Sequence, residues 1–425
     1  MKYKIITFGC QMNKKDSSLL QSILDRHDHK SVTAVDEADL ILINTCSVRD
    51  HAENRAKSHI ASLRRWHEEG DRLLGIIGCM AQRISREIMF EFPYIDFVLG
   101  PDAYRSIIRI VDELSEKRSR MVETSLGDET YCGLYADKTG ITDFVAVMRG
   151  CSNFCSYCIV PFVRGPARSR SYEDILRETE YLIARGVKEI ILIGQNVNEY
   201  RFNDMDFAEL LARISRLEGL LRLRFLTSHP KDFDQRIINV VKENSVICEW
   251  FHLPLQSGND RILDLMNRKY SAGKFRQLVN AIRDSIPEAA ITSDIIVGFP
   301  GETEQEFQDT MHMVNELQFD DAFTYRFSPR AGTKAAHMSM LPEIVIKRRL
   351  HELIEFQNSI IKNKTRAMIG KTYEIMIEAK ARDNAMRGKT RGNKNVVIDE
   401  KVTVGSIINV KIVEIRGRTP IGVRV

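Results

Sequence analysis

Residues 151–158 read Cys151-Ser152-Asn153-Phe154-Cys155-Ser156-Tyr157-Cys158, and this C-x3-C-x2-C triplet directly follows a predicted strand at 144–148. Three thiolates on one short loop can hold three irons of a [4Fe–4S] cluster and leave the fourth iron open for chemistry. A closed zinc site needs a fourth cysteine or histidine in matching spacing, and none follows Cys158 closely. The alternatives to an iron–sulfur cluster are a zinc site and three buried cysteines without a function.

The region around this triplet alternates strand and helix patterns from residue 143 to residue 366. The predicted strands cover residues 144–148, 189–193, 222–226, 249–253, 291–297 and 322–327. Six strand–helix units fit a partial, open (β/α)6 version of the parallel barrel, whose active sites lie at the C-terminal strand ends. The cysteine loop follows the first strand, so we expect it at that mouth.

The N-terminal region, residues 1–118, alternates on a shorter scale, with predicted strands at 3–9, 40–44, 73–78 and 95–99. This pattern predicts an open parallel α/β sheet domain. Cys10, Cys46 and Cys79 each directly follow one of these strands. Because C-terminal strand ends converge on the ligand crevice of such sheets, the three thiolates are expected to meet. A second [4Fe–4S] cluster with an open iron is the sharper hypothesis, and small buried residues at strand ends are the alternative.

Two weaker patterns complete the domain plan. Residues 119–142 contain turn-like stretches at 127–129 and 137–140 and are predicted to be a linker. Residues 367–425 contain β-branched strands at 373–378, 395–398, 407–415 and 421–425, which predict a small all-β barrel. Six basic residues cluster within fifteen positions of this region and form a candidate RNA-binding face, with a solvated loop as the alternative: Lys380, Arg382, Arg387, Lys389, Arg391 and Lys394.

Composition and charge limit the class of protein. Of 425 residues, 43% are hydrophobic and 28% charged, and no apolar run approaches the length of a membrane span. The N-terminus enters a strand-like run directly and lacks a signal peptide, so a cytoplasmic location is expected. Eight cysteines then favour metal binding or catalysis over disulfides. Residues 344–425 carry 18 Lys plus Arg against 8 Asp plus Glu, which indicates a polyanionic partner or a solvated basic surface.

The central triplet, with an aromatic residue before its last cysteine, resembles the radical S-adenosylmethionine superfamily. The resemblance implies that the open iron chelates S-adenosylmethionine, whose cleavage gives a radical that abstracts hydrogen. It also implies that Tyr157 lies near the adenine of this cofactor.

The whole chain, with two cysteine triplets and a C-terminal β domain similar to the TRAM domain, resembles the methylthiotransferases. That resemblance implies sulfur insertion and methylation with two molecules of S-adenosylmethionine, and tRNA binding by the β domain. Three stretches are similar to the subfamily that modifies N6-dimethylallyladenosine in tRNA: Gly9-Cys10-Gln11-Met12-Asn13, Asn44-Thr45-Cys46-Ser47-Val48-Arg49 and Thr227-Ser228-His229-Pro230. The chain departs from the family at Ala331 and Lys334, where proline is usual, which adds flexibility to that loop.

Further side chains are candidates for the site. Gln195 and Gln256 lie at the ends of the second and fourth barrel strands. We expect each of them either to bind the cofactor or substrate or to stabilise its own loop. Asp294, within the fifth strand, is a carboxylate near the cofactor or a structural acceptor. His229 is expected on the substrate side or as a helix cap.

Three arginines follow the cysteine loop and suit phosphate or carboxylate contact at the barrel mouth: Arg164, Arg168 and Arg170.

The predicted function is methylthiolation of N6-dimethylallyladenosine next to the anticodon of tRNA, at position 37. Modification of threonylcarbamoyladenosine, or tRNA binding by an iron–sulfur protein without catalysis, are the alternatives. The expected partners are the tRNA anticodon stem-loop, an electron donor such as flavodoxin or ferredoxin, and a sulfur donor, with no membrane and a monomeric chain. Cys132 and Cys248 stand outside both triplets and are expected not to be ligands.

Overall fold

The computed structural model describes residues 1–48, 50–136, 140–382 and 385–425. Arg49 of the second quoted motif and residues 137–139 of the predicted linker lie outside this range. The α-helices are α1 Gln11–Asp25, α2 Asp50–Ser62, α3 Arg64–Glu68, α4 Cys79–Arg83, α5 Ser85–Glu91, α6 Ile107–Glu116, α7 Val160–Arg164, α8 Tyr172–Ala184, α9 Phe207–Ile214, α10 Gln235–Glu243, α11 Asp260–Leu265, α12 Ala272–Ser285, α13 Glu304–Leu317 and α14 Glu343–Arg366. Short 3-10 helices cover Tyr104–Ser106, Val197–Glu199, Pro230–Asp232 and Lys334–His337.

The strands fall into three groups along the chain. The N-terminal strands are β1 Lys2–Thr7, β2 Lys30–Ser31, β3 Leu40–Thr45, β4 Leu73–Gly78, β5 Phe97–Leu99 and β6 Met121–Glu123. The central strands are β7 Thr142–Ala146, β8 Met148–Arg149, β9 Arg168–Ser169, β10 Glu189–Ile193, β11 Arg201–Phe202, β12 Met205–Asp206, β13 Arg222–Phe225, β14 Trp250–His252, β15 Ala290–Val297 and β16 Asp321–Arg326. The C-terminal strands are β17 Thr372–Lys380, β18 Met386–Thr390, β19 Asn395–Ile398, β20 Ile407–Arg416 and β21 Thr419–Arg424.

The N-terminal sheet is parallel throughout, in the order β2-β1-β3-β4-β5-β6. Strands β3 and β4 are buried along their whole length, as expected when helices cover both faces of a parallel sheet. Strand β6 lies within the segment predicted to be a linker. Its three residues are too few to show a period of two, which explains why the pattern was not recognised.

The central region forms two three-stranded parallel sheets, β13-β10-β7 and β14-β15-β16. A parallel bridge between Leu223 and Ile247 joins them into a partial barrel. All six strands lie within a few residues of their predicted positions, and the helices between them pack outside one large apolar core. The predicted (β/α)6 architecture is confirmed.

The C-terminal strands close into a barrel in the order β17-β18-β19-β21-β20. The predicted strand set lacks β18, because one of its inward-facing positions is Gly388 and the strand therefore has no apolar alternation. Arg222 and Arg224 at the base of the central barrel hold this domain. Arg222 donates to the carbonyl of Lys389 at 2.7 Å, and Arg224 donates to the carbonyl of Thr390 at 2.9 Å.

The N-terminal domain lies against the mouth of the central barrel. Lys15 on α1 pairs with Glu178 on α8, and both side chains are buried. Arg170 donates to the other oxygen of Glu178 at 2.6 Å, which closes a buried ion-pair chain between the two domains. In the described part of the chain, no helix is both long and apolar enough to cross a bilayer.

Candidate iron–sulfur site between the two domains

The N-terminal cysteines are brought together by the sheet order. Strands β1, β3 and β4 are adjacent and parallel, and Cys10, Cys46 and Cys79 follow their carboxyl ends. A Cβ built on Gly9 would lie 2.6 Å from the Cβ of Cys46, so the turn that carries Cys10 lies directly on Cys46. Gly78, with φ of +92°, lets the chain turn into Cys79 where other residues would be strained. The predicted convergence of these strand ends is therefore present.

The thiols of this triplet interact with one another. A hydrogen bond from the Cys46 thiol to Cys10 lowers the pKa of Cys10 to about 6 and raises the pKa of Cys46. Burial raises the pKa of Cys79, and the nearby Arg164 opposes that effect. Arg164 donates from Nε to the Sγ of Cys79 at 3.1 Å. Cys10 is thus the thiol with the lowered pKa, whereas Cys79, which Arg164 contacts, keeps a raised pKa.

A buried carboxylate anchors that cation. Asp16 on α1 accepts from Arg164 at 2.7 Å and from Arg149 at 2.9 Å. Burial alone would raise the pKa of Asp16, but the two guanidinium groups lower it. The N-terminal triplet is therefore tied to the loop that carries the central triplet, because Arg149 and Arg164 flank that loop in sequence.

The central cysteine loop is held by backbone hydrogen bonds, one within the loop and others to neighbouring segments such as Met266. The N–H of Cys151 donates to the carbonyl of Gly165 at 3.1 Å, and the N–H of Cys158 donates to the carbonyl of Cys155 at 2.9 Å. Arg268 donates to the Sγ of Cys155 at 3.4 Å. Burial raises the pKa of Cys151, and it raises the pKa of Cys158 to about 12. These thiols need a positive charge, such as iron, to ionise near neutral pH.

The donor set of each triplet fits an iron–sulfur cluster. In the described residues, no group of three His, Cys, Asp or Glu side chains is positioned to hold a metal ion. All eight cysteines are free thiols. A [4Fe–4S] cluster takes one thiolate per iron, so three thiols hold three irons and leave one open, whereas a closed zinc site needs a fourth ligand.

A cavity of about 620 Å³ lies beside the central triplet, at the contact between the N-terminal domain and the barrel mouth. One wall comes from the N-terminal domain, and the other comes from the central loop and the ends of the barrel strands. The lining residues are Val48, His51, Asn54, Tyr157, Cys158, Ile159, Gln256, Asp294, Ile296, Thr324, Tyr325, Arg326, Phe327, Ser328 and Arg330. Among the described residues, Cys158 is the one cysteine in this lining, and Val48, which also lines the cavity, donates from its N–H to the Sγ of Cys46 at 3.4 Å.

Three of the four predicted cofactor-binding side chains line this cavity: Tyr157, Gln256 and Asp294. The Oε1 of Gln256 is buried and has no hydrogen-bond partner among the described residues. Asp294 lies 3.4 Å from His252. Gln195 does not line the cavity, but its Oε1 is also buried without a partner in the described residues. Two orphaned acceptors at the barrel mouth fit a ligand that carries an amino group.

Other predicted contacts are made within the protein. The Nδ1 of His229 accepts from the N–H of Lys231, which is the capping role, and burial lowers the pKa of His229 to about 2. Arg164, Arg168 and Arg170 were expected to contact phosphate or carboxylate of a ligand. Arg164 instead pairs with Asp16, Arg168 with Asp102, and Arg170 with Asp174 and Glu178, because the two domains bury these arginines between them.

The predicted RNA-binding set is divided by the fold. Lys380, Arg382 and Arg387 are exposed. Lys389 pairs with Glu378 at 3.2 Å. Arg391 pairs with Glu249 of the central barrel at 2.7 Å and is part of the domain interface. Burial lowers the pKa of Lys394, which also faces that interface.

Sequence reasoning missed two arginines of the site. Arg268 contacts Cys155, and Arg330 donates to the carbonyl of Val48 at 2.9 Å from the other domain. Each lies more than a hundred residues from its partner, and no local pattern marks such a contact.

Comparisons with known proteins agree with this geometry. Residues 145–314 match the model of the Radical SAM superfamily, and residues 2–100 match that of a group described as Uncharacterized protein family UPF0004. A tRNA-2-methylthio-N(6)-dimethylallyladenosine synthase from Carboxydothermus hydrogenoformans is 41% identical, over 97% of this chain and 96% of the relative. The protein of the same name from Caldicellulosiruptor saccharolyticus is 40% identical, over 97% of this chain and 90% of the relative.

Among solved structures, the chain is similar to the radical S-adenosylmethionine methyltransferase TsrM from Kitasatospora setae, determined with cobalamin and a [4Fe-4S] cluster bound. The TM-score is 0.60 at 13% identity, covering 79% of this chain and 74% of that one. At this identity the likeness concerns the fold.

Proposed function

This chain belongs to the family of the tRNA-2-methylthio-N(6)-dimethylallyladenosine synthases, and from that membership we propose that it methylthiolates N6-dimethylallyladenosine in tRNA. The modified base is the one next to the anticodon, position 37, and the new group is attached at C2. The observation that carries the proposal is the cavity that Cys158 lines, whose walls come from both domains and include Val48, the hydrogen-bond donor to Cys46. A substrate in that cavity lies beside Cys158 and beside the turn that follows Cys46.

The chain is a radical S-adenosylmethionine enzyme and so uses S-adenosylmethionine and a [4Fe–4S] cluster. We assign the cluster to Cys151, Cys155 and Cys158, and a second cluster to Cys10, Cys46 and Cys79. When bound, the first with its cofactor supplies a radical that abstracts hydrogen, and the second supplies the methylated sulfur.

The protein's own groups in the cavity bind and orient. Gln256 offers a buried amide oxygen, and Asp294 offers a carboxylate, for polar groups of the cofactor. Gln195 offers a second orphaned amide oxygen at the same mouth, and Tyr157 lies beside Cys158 for contact with an adenine. Apolar walls, including Ile296 and Phe327, suit an isoprenoid substituent and keep water away from the reacting carbon.

The substrate base has to leave the RNA stack to enter this cavity. Anticodon loops allow this, because their bases are unpaired and can be splayed out onto a protein surface. The cation of Arg330 lines the cavity beside the Cys46 turn and suits the electron-rich edge of a base or a flanking phosphate.

The exposed side chains of the C-terminal barrel are proposed to hold the tRNA backbone. Lys380 is the last residue of β17, Arg382 follows it, and Arg387 lies on β18. Exchanging all three for alanine is expected to weaken tRNA binding and to reduce the slope of log K against log salt by about one per lost phosphate contact. 5′-Deoxyadenosine formation without tRNA should be unchanged, and an unchanged salt slope would contradict this assignment.

We further propose that an electron donor such as flavodoxin or ferredoxin reduces the central cluster and that a sulfur donor restores the N-terminal one. The chain is proposed to act as a monomer, since both triplets and the cavity are built within one copy.

The deciding experiment uses anaerobically reconstituted protein with reductant, S-adenosylmethionine and anticodon stem-loops. One stem-loop carries N6-dimethylallyladenosine, and its matched partner carries threonylcarbamoyladenosine. Mass spectrometry of digested product is expected to show the methylthio group only on the first. Methylthiolation of the second alone would move the chain to the other tRNA subfamily, and 5′-deoxyadenosine without either product would leave the substrate assignment wrong.

The iron content tests the two-cluster assignment independently of substrate. About eight irons per chain are expected for two [4Fe–4S] clusters. About four would remove the N-terminal site from the proposal.

A further inference from the structure

Arg164, the last residue of α7, lies deep in the contact between the two domains, with only 2% of its surface exposed. Its Nε donates to the Sγ of Cys79 at 3.1 Å, and its Nη2 donates to Asp16 at 2.7 Å. The third nitrogen, Nη1, is buried and has no hydrogen-bond partner among the described residues.

A buried donor without an acceptor is costly, and the cost is greater for a charged group. The guanidinium is planar and its donors form a rigid fork, so Nη1 cannot turn away while Nε and Nη2 keep their partners. The fork is anchored on Cys79 on one side and on Asp16 on the other. Its unused donor is therefore left for an acceptor other than the described residues, on a guanidinium that already contacts the N-terminal triplet through Cys79.

We propose that Arg164 donates a hydrogen bond from Nη1 to a sulfur acceptor of the group that Cys10, Cys46 and Cys79 hold. Arg164 is then a positioning residue for the sulfur that is transferred. This inference rests on the proposed function, because it needs a sulfur-bearing group at the triplet. Hydrogen bonds to cluster sulfurs and nearby positive charge both favour the reduced state, so Arg164 raises the midpoint potential of that group.

The chain contains a matched control in Arg149. Arg149 is equally buried and shares the carboxylate of Asp16, but its other hydrogen bond goes to the carbonyl of Pro101 at 3.2 Å. A loss of packing or of the Asp16 ion pair affects both arginines. An effect on the sulfur group is specific to Arg164.

The experiment uses the full chain with Cys151, Cys155 and Cys158 exchanged for alanine, so that iron and electron paramagnetic resonance signals report the N-terminal triplet alone. Arg164→Lys, Arg164→Gln and Arg149→Lys are introduced separately. We expect iron to be retained and the midpoint potential to shift to more negative values in both Arg164 variants, further in Arg164→Gln than in Arg164→Lys. The Arg149→Lys variant is expected to keep the parent potential.

Equal potentials in the parent and in Arg164→Lys would overturn the proposal, and so would equal shifts in Arg164→Lys and Arg149→Lys. Arg164→Lys keeps the charge and carries the test if Arg164→Gln does not fold. Failure of the two-cluster assignment is seen earlier and separately, since the parent with only the N-terminal triplet would then bind no iron, and failure of the substrate assignment is seen in the mass-spectrometric assay with stem-loops.

Discussion

The two cysteine triplets, which we propose to hold a cluster each, are assembled in opposite ways. The three cysteines of the central triplet lie within eight consecutive residues, on one loop that backbone hydrogen bonds hold in place. The N-terminal one is written on three strand ends spread from Cys10 to Cys79, and only the order β1-β3-β4 brings them together. The dispersed triplet depends on the sheet that assembles it, whereas the local triplet depends on the residues that hold one loop, such as Met266, whose carbonyl accepts from the N–H of Ser156.

The two triplets also differ in where the arginine that contacts them is anchored. Each has one buried arginine on a thiol, Arg268 on Cys155 and Arg164 on Cys79. Arg268 is anchored close to its own barrel strand ends, through the carbonyl of Pro254. Arg164 is anchored across the domain interface on Asp16. The arginine on the N-terminal triplet is therefore held across the domain interface, and the arginine on the central triplet is held within the barrel.

The largest expected effect comes from the central triplet. Cys155→Ala removes one of three thiolates of the radical site, so 5′-deoxyadenosine and methylthiolated RNA should both fall to background. Chromatographic measurement of 5′-deoxyadenosine checks this. Cys248→Ala is the control, because Cys248 is 1% exposed and belongs to neither triplet. Normal 5′-deoxyadenosine formation by Cys155→Ala would contradict the assignment of the radical site to the central triplet.

The next effect separates the two triplets. Cys46→Ala removes a thiolate from the N-terminal site only, so methylthiolated RNA should be lost while 5′-deoxyadenosine formation continues. The iron content should fall from about eight to about four per chain, measured on anaerobic protein. Loss of 5′-deoxyadenosine as well would mean that the two sites are not independent.

A backbone substitution tests whether the sheet assembles the N-terminal site. Gly78→Ala places a Cβ 2.6 Å from Asn44 Oδ1 and from the carbonyl of Thr45, at a φ of +92°. We expect a loss of about 1–3 kcal/mol in the free energy of unfolding and loss of iron from the N-terminal triplet. Urea titration and iron analysis measure both. Gly127→Ala has open space around its Cβ and should change neither; iron lost from the central triplet of Gly78→Ala would contradict the argument.

The smallest effect tests how well water is excluded beside the central triplet. Burial lowers the pKa of His229 to about 2, so between about pH 2 and the unfolded value near 6.5 only the unfolded chain binds this proton. Stability is therefore lost as pH falls below about 6.5, by about 1.4 kcal/mol per pH unit. Urea titrations at pH 7.5 and 5.5 should show that His229→Gln loses less stability than the parent. Equal losses would mean that His229 is solvated.

The features that could be predicted from the sequence are the strands and the order in which they follow one another. The strand before each cysteine is visible as an apolar run, and the adjacency of three such strands follows from the topology of parallel sheets. The partial barrel and the small C-terminal barrel were recognised in the same way. The predicted roles of Gln195, Gln256 and Asp294 as ligand contacts stay predictions.

What could not be predicted depends on distant pairs. The arginines after the central loop have the composition of a phosphate site, but Arg164 and Arg168 meet Asp16 and Asp102, far from them in the chain. Arg391 belongs to the same basic cluster as the exposed Lys380, Arg382 and Arg387, and yet it is paired with Glu249. Which acidic side chain faces a given arginine is set by domain docking, and no local pattern carries that information.

The clamp that Arg222 and Arg224 form on the C-terminal barrel has a consequence for selection of the target base. Both guanidinium groups donate to backbone carbonyls, so the clamp holds whatever side chains that barrel presents to solvent. If the C-terminal barrel binds tRNA, the distance from its RNA-binding face to the cavity is constant, and the protein measures a fixed distance along the tRNA. A nucleotide is then chosen by how far it lies from the bound stem as well as by its chemistry, and neighbouring adenosines are passed over because they are out of reach.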